Sequence, residues 1–366
     1  MSALTSEWVA AHMPRTARAV AALPDLTAVR LAMSMHLDFK MLPLVEGLAA
    51  RGASLFITTC NPTTVRDEVV ARMRSYGARV EAARDMPEAD WNAAIAAGLD
   101  WGPTHLSEMG ADYTHLLMTS GRTLPPVKAG LEATGSGVSR LKGKLPPWPI
   151  FNWDDLPVKE GLHNRHMVGL TTWQAFFSRT LLSLHEKRVL VVGYGTVGQG
   201  LAASARAFGG TVMVAEIDAA RALQARYDGW DVGSVAELAP RADVIVTGTG
   251  AHHVLPWEVI ERLKDGCFLL NSGHRIDEIE LAPVLERQIA APIPFVTSHV
   301  LPSGAKVHLL AGGAMANLTA GEGDSLNAFD VTLAVMATGI GHIVGDGEQA
   351  SAGVHLLPKS AWETAL

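Results

Sequence analysis

The sequence predicts an α/β protein of two domains, in which one domain is inserted into the other. The chain of 366 residues exceeds the usual size of one simple core and suits two. Short apolar runs alternate with amphipathic stretches, a pattern typical of parallel sheets with crossover helices. A glycine-rich turn directly follows the β-branched run Arg188–Val192, which indicates the start of a second series of strands.

The predicted elements divide into two halves. In the first half, four apolar runs indicate strands and two amphipathic stretches indicate helices: 31–35, Ser54–Thr59, 79–82 and 115–119, with 41–50 and 65–76. The second half contains a helical segment and six strand-like runs: 164–184, then Arg188–Val192, 211–216, Val244–Thr247, 268–271, 295–299 and 307–310. We therefore predict a first domain from residues 1–165 and 323–366, and an inserted domain from residues 166–322.

Composition argues against several classes of partner. The net charge is −7 and no basic block stands out, so we expect no nucleic-acid partner. The apolar run 331–344 is shorter than the roughly 20 residues that span a bilayer, so we predict a buried helix and no membrane partner. Neither the two cysteines nor the pair His163 and His166 has the spacing of a metal site. The N-terminus lacks an apolar signal core, and we expect a cytoplasmic protein.

The glycine-rich turn has the spacing of a dinucleotide-binding loop. Gly193, Gly195 and Gly198 form the pattern G-x-G-x-x-G between a β-branched run and a helix of small residues. The first glycine permits the tight turn, the second lets a pyrophosphate approach, and the third lets the helix pack closely on the sheet. Glu216 ends the next strand, where a carboxylate binds ribose hydroxyls and repels a 2′-phosphate. The sequence therefore predicts a Rossmann domain that binds NAD.

Four further polar clusters lie where ligands bind in open α/β sheets, mostly in loops that follow predicted strands. They are His36 with Asp38, Cys60 with Asn61, Lys159 with His163 and Asn164, and Asn271 with Ser272, Gly273 and His274. Taken singly, each has an ordinary structural interpretation. An isolated cysteine is usually a small buried residue, and an isolated lysine is usually solvated.

Together these clusters resemble the S-adenosylhomocysteine hydrolase family. The similarity extends over nearly the whole chain, in the segments SMHLDFKM, TTCNPTTVRDEVV, VKEGLHN, VVGYGTVGQG, VAEID, VTGTG, NSGHRIDEIEL and GVHLLPK. It implies a homo-oligomer, dimer or tetramer, in which NAD transiently oxidises the 3′-hydroxyl of a nucleoside. The ketone acidifies the neighbouring C–H, so that a thiol is eliminated, water adds, and the ketone is reduced again.

The resemblance implies roles at matching positions. Lys159 matches a lysine that helps to deprotonate the oxidised hydroxyl, and His36 and His274 match two histidines that transfer protons. Asn164 and Cys60 complete the expected catalytic set, together with His163. Substrate contacts are expected from His36, Asp38, Asn61, Lys159 and His163. The residues expected to contact NAD are Gly193, Gly195, Thr196, Val197, Gly198, Glu216, Ile217, Thr249, Gly250, Ser272, Gly273 and Asn317, with Thr134 and Ser136.

The substrate half departs from the family pattern at several positions. His163 replaces an aspartate that pairs with the catalytic lysine, and Asp324 replaces a histidine. Near the adenine site, a threonine becomes Asp38, and an acid or glutamine becomes Lys40. The family also usually continues beyond the position of Leu366 with a tail that contributes to a neighbouring subunit's NAD, so we expect altered cofactor retention or assembly.

Three hypotheses follow. The leading one is an NAD-dependent enzyme that oxidises a secondary hydroxyl of a nucleoside-like substrate other than S-adenosylhomocysteine, with Lys159 or His163 as the base. The second is genuine hydrolysis of S-adenosylhomocysteine to adenosine and homocysteine. The third is a catalytically silent NAD-binding subunit that regulates or scaffolds a partner.

Overall fold

A computed structural model describes residues 5–121 and 127–366 of the chain. The strands are, in chain order, β1 Arg30–Met35, β2 Ser54–Thr59, β3 Arg79–Glu81, β4 His105–Glu108, β5 Ala129–Glu132, β6 Pro149–Asn152, β7 Arg188–Val192, β8 Thr211–Ala215, β9 Asp231–Gly233, β10 Val244–Thr247, β11 Cys267–Asn271, β12 Gln288–Ile293, β13 Val296–Val300, β14 Lys306–Leu310 and β15 Gly353–Leu356. They form two separate sheets.

The helices connect these strands in the alternating order typical of α/β proteins. They are α1 Ser6–Ala11, α2 Pro14–Ala21, α3 Leu42–Ala50, α4 Asp67–Ser75, α5 Glu88–Asp100, α6 Asp112–Ser120, α7 Gly135–Leu141, α8 Val168–Thr180, α9 Thr196–Ala207, α10 Ala219–Tyr227, α11 Val235–Leu238, α12 Trp257–Ile260, α13 Ala282–Leu285, α14 Ala316–Thr319, α15 Leu326–Ile343 and α16 Lys359–Trp362. A π-helical segment, Lys159–Met167, precedes α8.

The chain forms two compact units, one made of Met1–Lys159 with Ser325–Leu366 and the other of Glu160–Asp324. The first unit contains a seven-stranded sheet in the order β15-β6-β5-β4-β1-β2-β3. All of its strand pairs are parallel, so the carboxyl ends of all seven strands lie at one edge. The predicted α/β architecture, with one domain inserted into the other, is confirmed.

One predicted strand is wrong. Residues 115–119 belong to helix α6, and the strand that precedes this helix is β4. The apolar run Leu116–Leu117–Met118 was too short to reveal its period, whereas the buried residues Tyr113, Thr114 and Leu117 have helical spacing. The Glu108 carboxylate accepts the backbone N–H groups of Tyr113 and Thr114 at 2.7 and 3.2 Å, and so satisfies the start of the helix.

Helix α15 is a core helix of the first unit. Its length and apolar composition alone would allow it to cross a bilayer, but ten of its residues are buried and it packs against α2. One of these residues, Asp330, is 1% exposed and accepts the backbone N–H groups of Arg15 and Thr16 at 2.9 and 2.7 Å. Both donors lie in the first turn of α2, so the Asp330 carboxylate caps that helix from a distant part of the chain.

The second unit contains an eight-stranded sheet in the order β12-β13-β14-β11-β10-β7-β8-β9. The strands from β14 to β9 are parallel, and β12 and β13 extend the sheet as antiparallel strands. The connection from β7 through α9 to β8 is the crossover that the glycine-rich turn predicts. The Rossmann topology of the inserted domain is therefore confirmed.

Replacing Asp330 by alanine should destabilise the first unit. Two backbone N–H groups would lose a buried acceptor, which costs about 1–3 kcal/mol of the free energy of unfolding. Urea unfolding followed by circular dichroism measures this loss, with Glu46→Ala on the exposed face of α3 as the control. Equal stability of the two variants would contradict the capping role of Asp330.

Candidate active site

The substrate-side residues His36 and Cys60 follow neighbouring strands of the first unit. Strands β1 and β2 are in register, with Met35 opposite Thr59, and the Cys60 N–H donates to the Met35 carbonyl at 3.2 Å. His36 and Cys60 are therefore the first residues beyond the carboxyl ends of two adjacent parallel strands. This is the edge at which open α/β sheets bind ligands.

Hydrogen bonds fix the orientation of the half-buried His36 ring. The Thr64 hydroxyl donates to the Asn61 carbonyl at 2.8 Å, and the same oxygen lies 2.9 Å from His36 Nδ1. Because the hydroxyl has one hydrogen, Nδ1–H must donate to Thr64, which leaves Nε2 as the nitrogen that can accept a proton. The Asn61 side-chain oxygen accepts from the backbone N–H and hydroxyl of Thr63 at 3.0 and 2.9 Å, so it shapes the same loop.

Asp38 and Lys40 form a buried ion pair in the loop after β1. Their carboxylate and ammonium groups are 3.0 Å apart, with side-chain exposures of 12% and 8%. The other Asp38 oxygen accepts the Lys40 backbone N–H at 2.8 Å. Buried charges in proteins are normally paired, and here the pair consists of two of the residues that depart from the family pattern.

A cluster of buried carboxylates lies at the ends of β4 and β5; Glu132 matches an acidic position of the family pattern, whereas sequence reasoning missed Glu108. Glu132 accepts the backbone N–H groups of Gly110, Ala111 and Thr134 at 3.0, 2.8 and 2.8 Å, and the Thr134 hydroxyl at 2.7 Å. Burial and, to a smaller extent, the nearby Glu108 carboxylate raise the pKa of Glu132 to about 8. Burial also raises the pKa of Glu108 to about 7. Glu108 has no motif spacing that could have revealed it.

Burial and nearby carboxylates determine the chemistry of Cys60. Burial, followed by the charges of Asp112 and Glu132, raises the pKa of the Cys60 thiol well above its usual value. A thiol of raised pKa remains protonated at neutral pH and is a poor nucleophile. The environment therefore favours a contact role for the Cys60 side chain over covalent catalysis.

Thr134, Ser136 and Lys159 also lie in the first unit. The Thr134 side chain caps α7 and lies 3.1 Å from the Ser136 hydroxyl. The Lys159 ammonium lies 3.8 Å from the Asp154 carboxylate, and both side chains are largely buried. A carboxylate beside an ammonium stabilises its charged form. Asp154, which no sequence motif marks, is therefore a counter-ion of Lys159.

The glycine-rich turn of the second unit has the shape that a pyrophosphate needs. Gly193 has a φ of +96°, and a side chain at Gly198 would lie 2.0 Å from the Gly193 carbonyl oxygen. At Gly195, by contrast, a Cβ would meet only Arg221 Nη1, at 3.6 Å. The chain itself therefore leaves space over Gly195, at the N-terminus of α9, where the helix dipole attracts an anion. Thr196 and Val197 follow in the first turn of this helix.

Glu216 is positioned beside this turn. Its carboxylate accepts the backbone N–H groups of Tyr194, Ile217 and Asp218 at 2.7, 2.7 and 2.8 Å. Ile217, the next residue, has a fully exposed side chain, although apolar side chains of this size are usually buried. A carboxylate and an apolar surface next to each other suit the ribose and base of a bound dinucleotide.

A second buried acid, Glu278, holds the loop after β10. It accepts the Thr249 backbone N–H and hydroxyl at 2.8 and 2.9 Å and the Gly250 backbone N–H at 2.7 Å. A Cβ on Gly273 would lie 1.6 Å from a Glu278 oxygen, so this acid also requires a glycine in the following loop. Glu278 thus positions three of the residues expected at the cofactor.

Asn271 fixes the loop that carries Ser272 and His274. Its side-chain amide donates to the carbonyls of Arg275 and Gly313 at 2.6 and 3.0 Å, and its oxygen accepts the Gly273 N–H at 2.8 Å. Ser272 is 2.7 Å from the Thr172 hydroxyl. The half-buried His274 is therefore placed by the asparagine at the end of β11, which belongs to the polar cluster that the sequence indicates there.

The residues of the second unit fit NAD. Asn317 is 5% exposed, and within the described part of the chain its side-chain oxygen is a buried acceptor that lacks a hydrogen-bond donor. Buried acceptors are normally satisfied, so this oxygen suits a ligand that brings a donor, as the nicotinamide carboxamide does. The open space at Gly195 and the carboxylate of Glu216 complete the fit.

Comparison with known proteins identifies the family. Residues 177–323 match the family described as S-adenosyl-L-homocysteine hydrolase, NAD binding domain. The chain is 33% identical to S-inosyl-L-homocysteine hydrolase of Methanopyrus kandleri, over 96% of this chain and 86% of that protein. It is equally identical to adenosylhomocysteinases of Pyrococcus abyssi, over 96% and 86%, and of Thermotoga maritima, over 96% and 89%. The chain belongs to the S-adenosyl-L-homocysteine hydrolase family. Its cofactor is NAD.

Two departures from the pattern of S-adenosyl-L-homocysteine hydrolases contact each other. His163 Nδ1 lies 2.5 Å from Asp324 Oδ2, and the two side chains are 17% and 3% exposed. His163 belongs, like Asn164, to the π-helical segment Lys159–Met167. The contact therefore joins the beginning and the end of the second unit. No spacing in the sequence could have indicated it.

Alanine at Gly195 should weaken NAD binding without unfolding the protein. The chain tolerates a Cβ there, because its nearest neighbour would be at 3.6 Å, but a pyrophosphate would lose its close approach. We expect an affinity for NAD at least about tenfold lower, a loss of about 1.4 kcal/mol. Calorimetry measures it, and Ala203→Ser on the exposed face of α9 is the control. Undiminished affinity would place the cofactor elsewhere.

The buried acid Glu108 should make stability depend on pH. Burial raises the pKa of the folded Glu108 carboxyl from its ordinary value of 4.5 to about 7, so the free energy of unfolding falls as pH rises between these two values. Glu108→Gln removes this titration and can still accept the Tyr113 and Thr114 N–H groups. The variant should gain about 1–3 kcal/mol relative to the native protein between pH 5 and pH 8.

Urea unfolding at both pH values measures this difference. Glu46→Gln, an exposed change in the same unit, should show no pH-dependent gain. The opposite result would be a variant that loses stability relative to the native protein as pH rises. That result would mean that Glu108 is ionised in the folded state.

Proposed function

We propose that the protein is an NAD-dependent hydrolase of a nucleosidyl thioether whose base is a 6-oxopurine rather than adenine. Membership of the family supports a hydrolase that uses NAD. The buried pair Asp38–Lys40 supports the change of base. NAD supplies the transient oxidation of a secondary hydroxyl to a ketone, which makes the bond to sulfur breakable.

The residues of this chain bind the substrate and move protons. His36 presents Nε2 as a proton acceptor, because its Nδ1 is held by Thr64. Lys159 is an ammonium paired with Asp154, and so supplies a positive charge that stabilises an alkoxide forming on the substrate. His274 is the second histidine expected to exchange a proton, on the loop that Asn271 holds.

The base preference follows from the hydrogen-bonding groups of the two residues. The amino group is the only donor that adenine offers at its edges, so an acid or glutamine beside adenine accepts from that group. Lys40 occupies the position of that acid or glutamine. An ammonium has three donors and no acceptor, so it opposes a 6-amino group and complements a 6-oxo group.

Asp38 completes the complementarity. A 6-oxopurine carries a hydrogen on N1, whereas N1 of adenine is an acceptor. The Asp38 carboxylate, which accepts only, can bind N1–H of the oxopurine and repels the adenine nitrogen. The two charges also neutralise each other at 3.0 Å, so the site remains balanced when no substrate is bound. The named activity of the Methanopyrus kandleri relative, on S-inosyl-L-homocysteine, offers such a substrate.

The proposal is tested with the NAD-loaded protein and two thioethers, S-inosyl-L-homocysteine and S-adenosyl-L-homocysteine. We expect kcat/KM for the inosyl compound to exceed that for the adenosyl compound about 100-fold or more, because adenine would leave buried polar groups unpaired. Release of homocysteine, measured with a thiol reagent, reports the rate. Lys40→Gln should bring the ratio close to one, since an amide both donates and accepts. Lys142→Gln, an exposed change, should leave the ratio of the two kcat/KM values unaltered.

The other outcomes discriminate between the alternatives. A preference for the adenosyl compound would identify a genuine S-adenosyl-L-homocysteine hydrolase despite the altered pocket. Failure to release thiol or to reduce bound NAD with either compound, together with an unchanged cellular phenotype of Lys159→Ala, would support a silent NAD-binding subunit.

A further inference from the structure

The side chain of Arg221 borders the glycine-rich turn of the second unit. Its Nη1 atom lies 3.6 Å from the point that a Cβ on Gly195 would occupy. Apart from the adjoining residues, it is the one heavy atom within 4 Å of that point in the described part of the chain. A bound pyrophosphate has to approach the backbone of this glycine closely. The guanidinium therefore lies at the edge of the space that the pyrophosphate of NAD requires.

Backbone hydrogen bonds hold Arg221 in this place. The Asp218 side chain caps helix α10 and accepts the Arg221 N–H, in the first turn of that helix, at 2.9 Å. The Asp218 N–H in turn donates to Glu216 at 2.8 Å. Glu216 also accepts the Tyr194 N–H, which belongs to the glycine-rich turn, at 2.7 Å. The Glu216 carboxylate thus ties the start of α10 to the turn, and the position of Arg221 beside the turn follows from these contacts.

The charge of Arg221 lies at an end of a helix where cations are disfavoured. The first turn of a helix carries a partial positive charge, which favours acids and opposes basic residues. Helix α10 has no acid in its first turn, and Arg221 is exposed there. Within residues 5–121 and 127–366, its guanidinium makes no hydrogen bond or ion pair. An anion bound beside Arg221 would relieve the repulsion between its charge and the helix dipole.

The surroundings of the turn require such a cation. Besides Glu216, the carboxylate of Glu160 lies at this end of α9, where it accepts the Thr196 hydroxyl at 2.8 Å. A pyrophosphate would add further negative charge between these acids, whereas the dipole of α9 offers only about half an elementary positive charge. A guanidinium adds a full charge and a planar pair of N–H donors that matches phosphate oxygens.

We propose that Arg221 is a cofactor-binding residue whose guanidinium binds the pyrophosphate of NAD together with the N-terminus of α9. This role does not depend on which thioether the protein hydrolyses. An arginine in this region of a Rossmann domain can instead accommodate the 2′-phosphate of NADP. The position of Nη1 over Gly195 favours the pyrophosphate, and the two assignments predict different results with the two cofactors.

The rate at which bound NAD leaves the protein tests this role. The protein is loaded with radiolabelled NAD, and release is followed after excess unlabelled NAD is added. Arg221→Gln should release NAD at least about tenfold faster than the native protein, because a hydrogen bond between charged groups is lost. Arg221→Lys retains the charge but not the planar donors, so its rate should lie between the two. Arg226→Gln removes an exposed arginine from the last turn of the same helix and should keep the native rate.

Salt separates an ionic contact with NAD from a structural role of Arg221. Higher ionic strength screens exposed charges, so it should speed release from the native protein and narrow the difference between native protein and Arg221→Gln. Circular dichroism should show the same secondary structure in both. A faster release that is equally large at low and high salt would identify a structural role of the side chain and overturn the proposal.

NADP distinguishes the pyrophosphate from the 2′-phosphate. A guanidinium at the pyrophosphate acts on both cofactors, so Arg221→Gln should speed the release of NADP by the same factor as that of NAD. A native protein that retains no NADP would likewise exclude a 2′-phosphate site. A larger effect of Arg221→Gln on NADP would assign the residue to the 2′-phosphate and overturn the proposal. So would release of NAD within about twofold of the native rate, since a charged hydrogen bond contributes more.

These rates are measured without a thioether. Failure of the native protein to convert either thioether would therefore refute the proposed function and leave the result for Arg221 unchanged.

Discussion

The loops that carry the candidate site depend on carboxylates that accept backbone N–H groups. Where parallel strands end, N–H groups lose their sheet partners and require other acceptors. Glu132 satisfies three of them at the end of β4 and β5, Glu278 two after β10, and Glu216 three after β7 and β8. One carboxylate can accept several hydrogen bonds, so each acid fixes a whole loop. Both units use this arrangement at the edge where their ligands are expected.

Burial of these acids creates a conflict in the first unit. Loss of water favours the protonated form of Glu108 and Glu132 and raises the pKa of both, whereas their N–H donors favour the ionised form. A protonated carboxyl carries an O–H donor, which cannot form a hydrogen bond with the backbone N–H donors around it. The geometry of the loop therefore depends on the charge state of the acid. Burial, followed by the charges of Asp112 and Glu132, also raises the pKa of the neighbouring Cys60 thiol. The chemistry at this edge of the sheet is therefore set by acids that need not touch the substrate.

Features formed by residues that are close in sequence could be predicted from the sequence. The glycine-rich turn, its strand, its helix and Glu216 are close in sequence, and each has a separate steric or electrostatic reason. Periodicity indicated nine of the strands, but it placed a strand on residues of α6, where a short apolar run has no distinguishable period, and it did not indicate β4, β5, β6, β9, β12 or β15. Contacts such as that of Asp330 with α2 join segments more than 300 residues apart, and no spacing encodes them. The same is true of Asp154 beside Lys159, since an acid near a lysine is usually a solvated surface residue.

The departures from the family pattern form two charge-balanced pairs in the structure. Asp38 contacts Lys40, and His163 contacts Asp324, so each unusual residue has an unusual partner of complementary chemistry. Loss of function by random change would leave single charges buried beside residues that no longer match, and each would cost several kcal/mol. Paired changes avoid that cost and alter which groups donate and accept. A site remodelled in this way retains the means to bind a polar ligand, with a different pattern of hydrogen bonds.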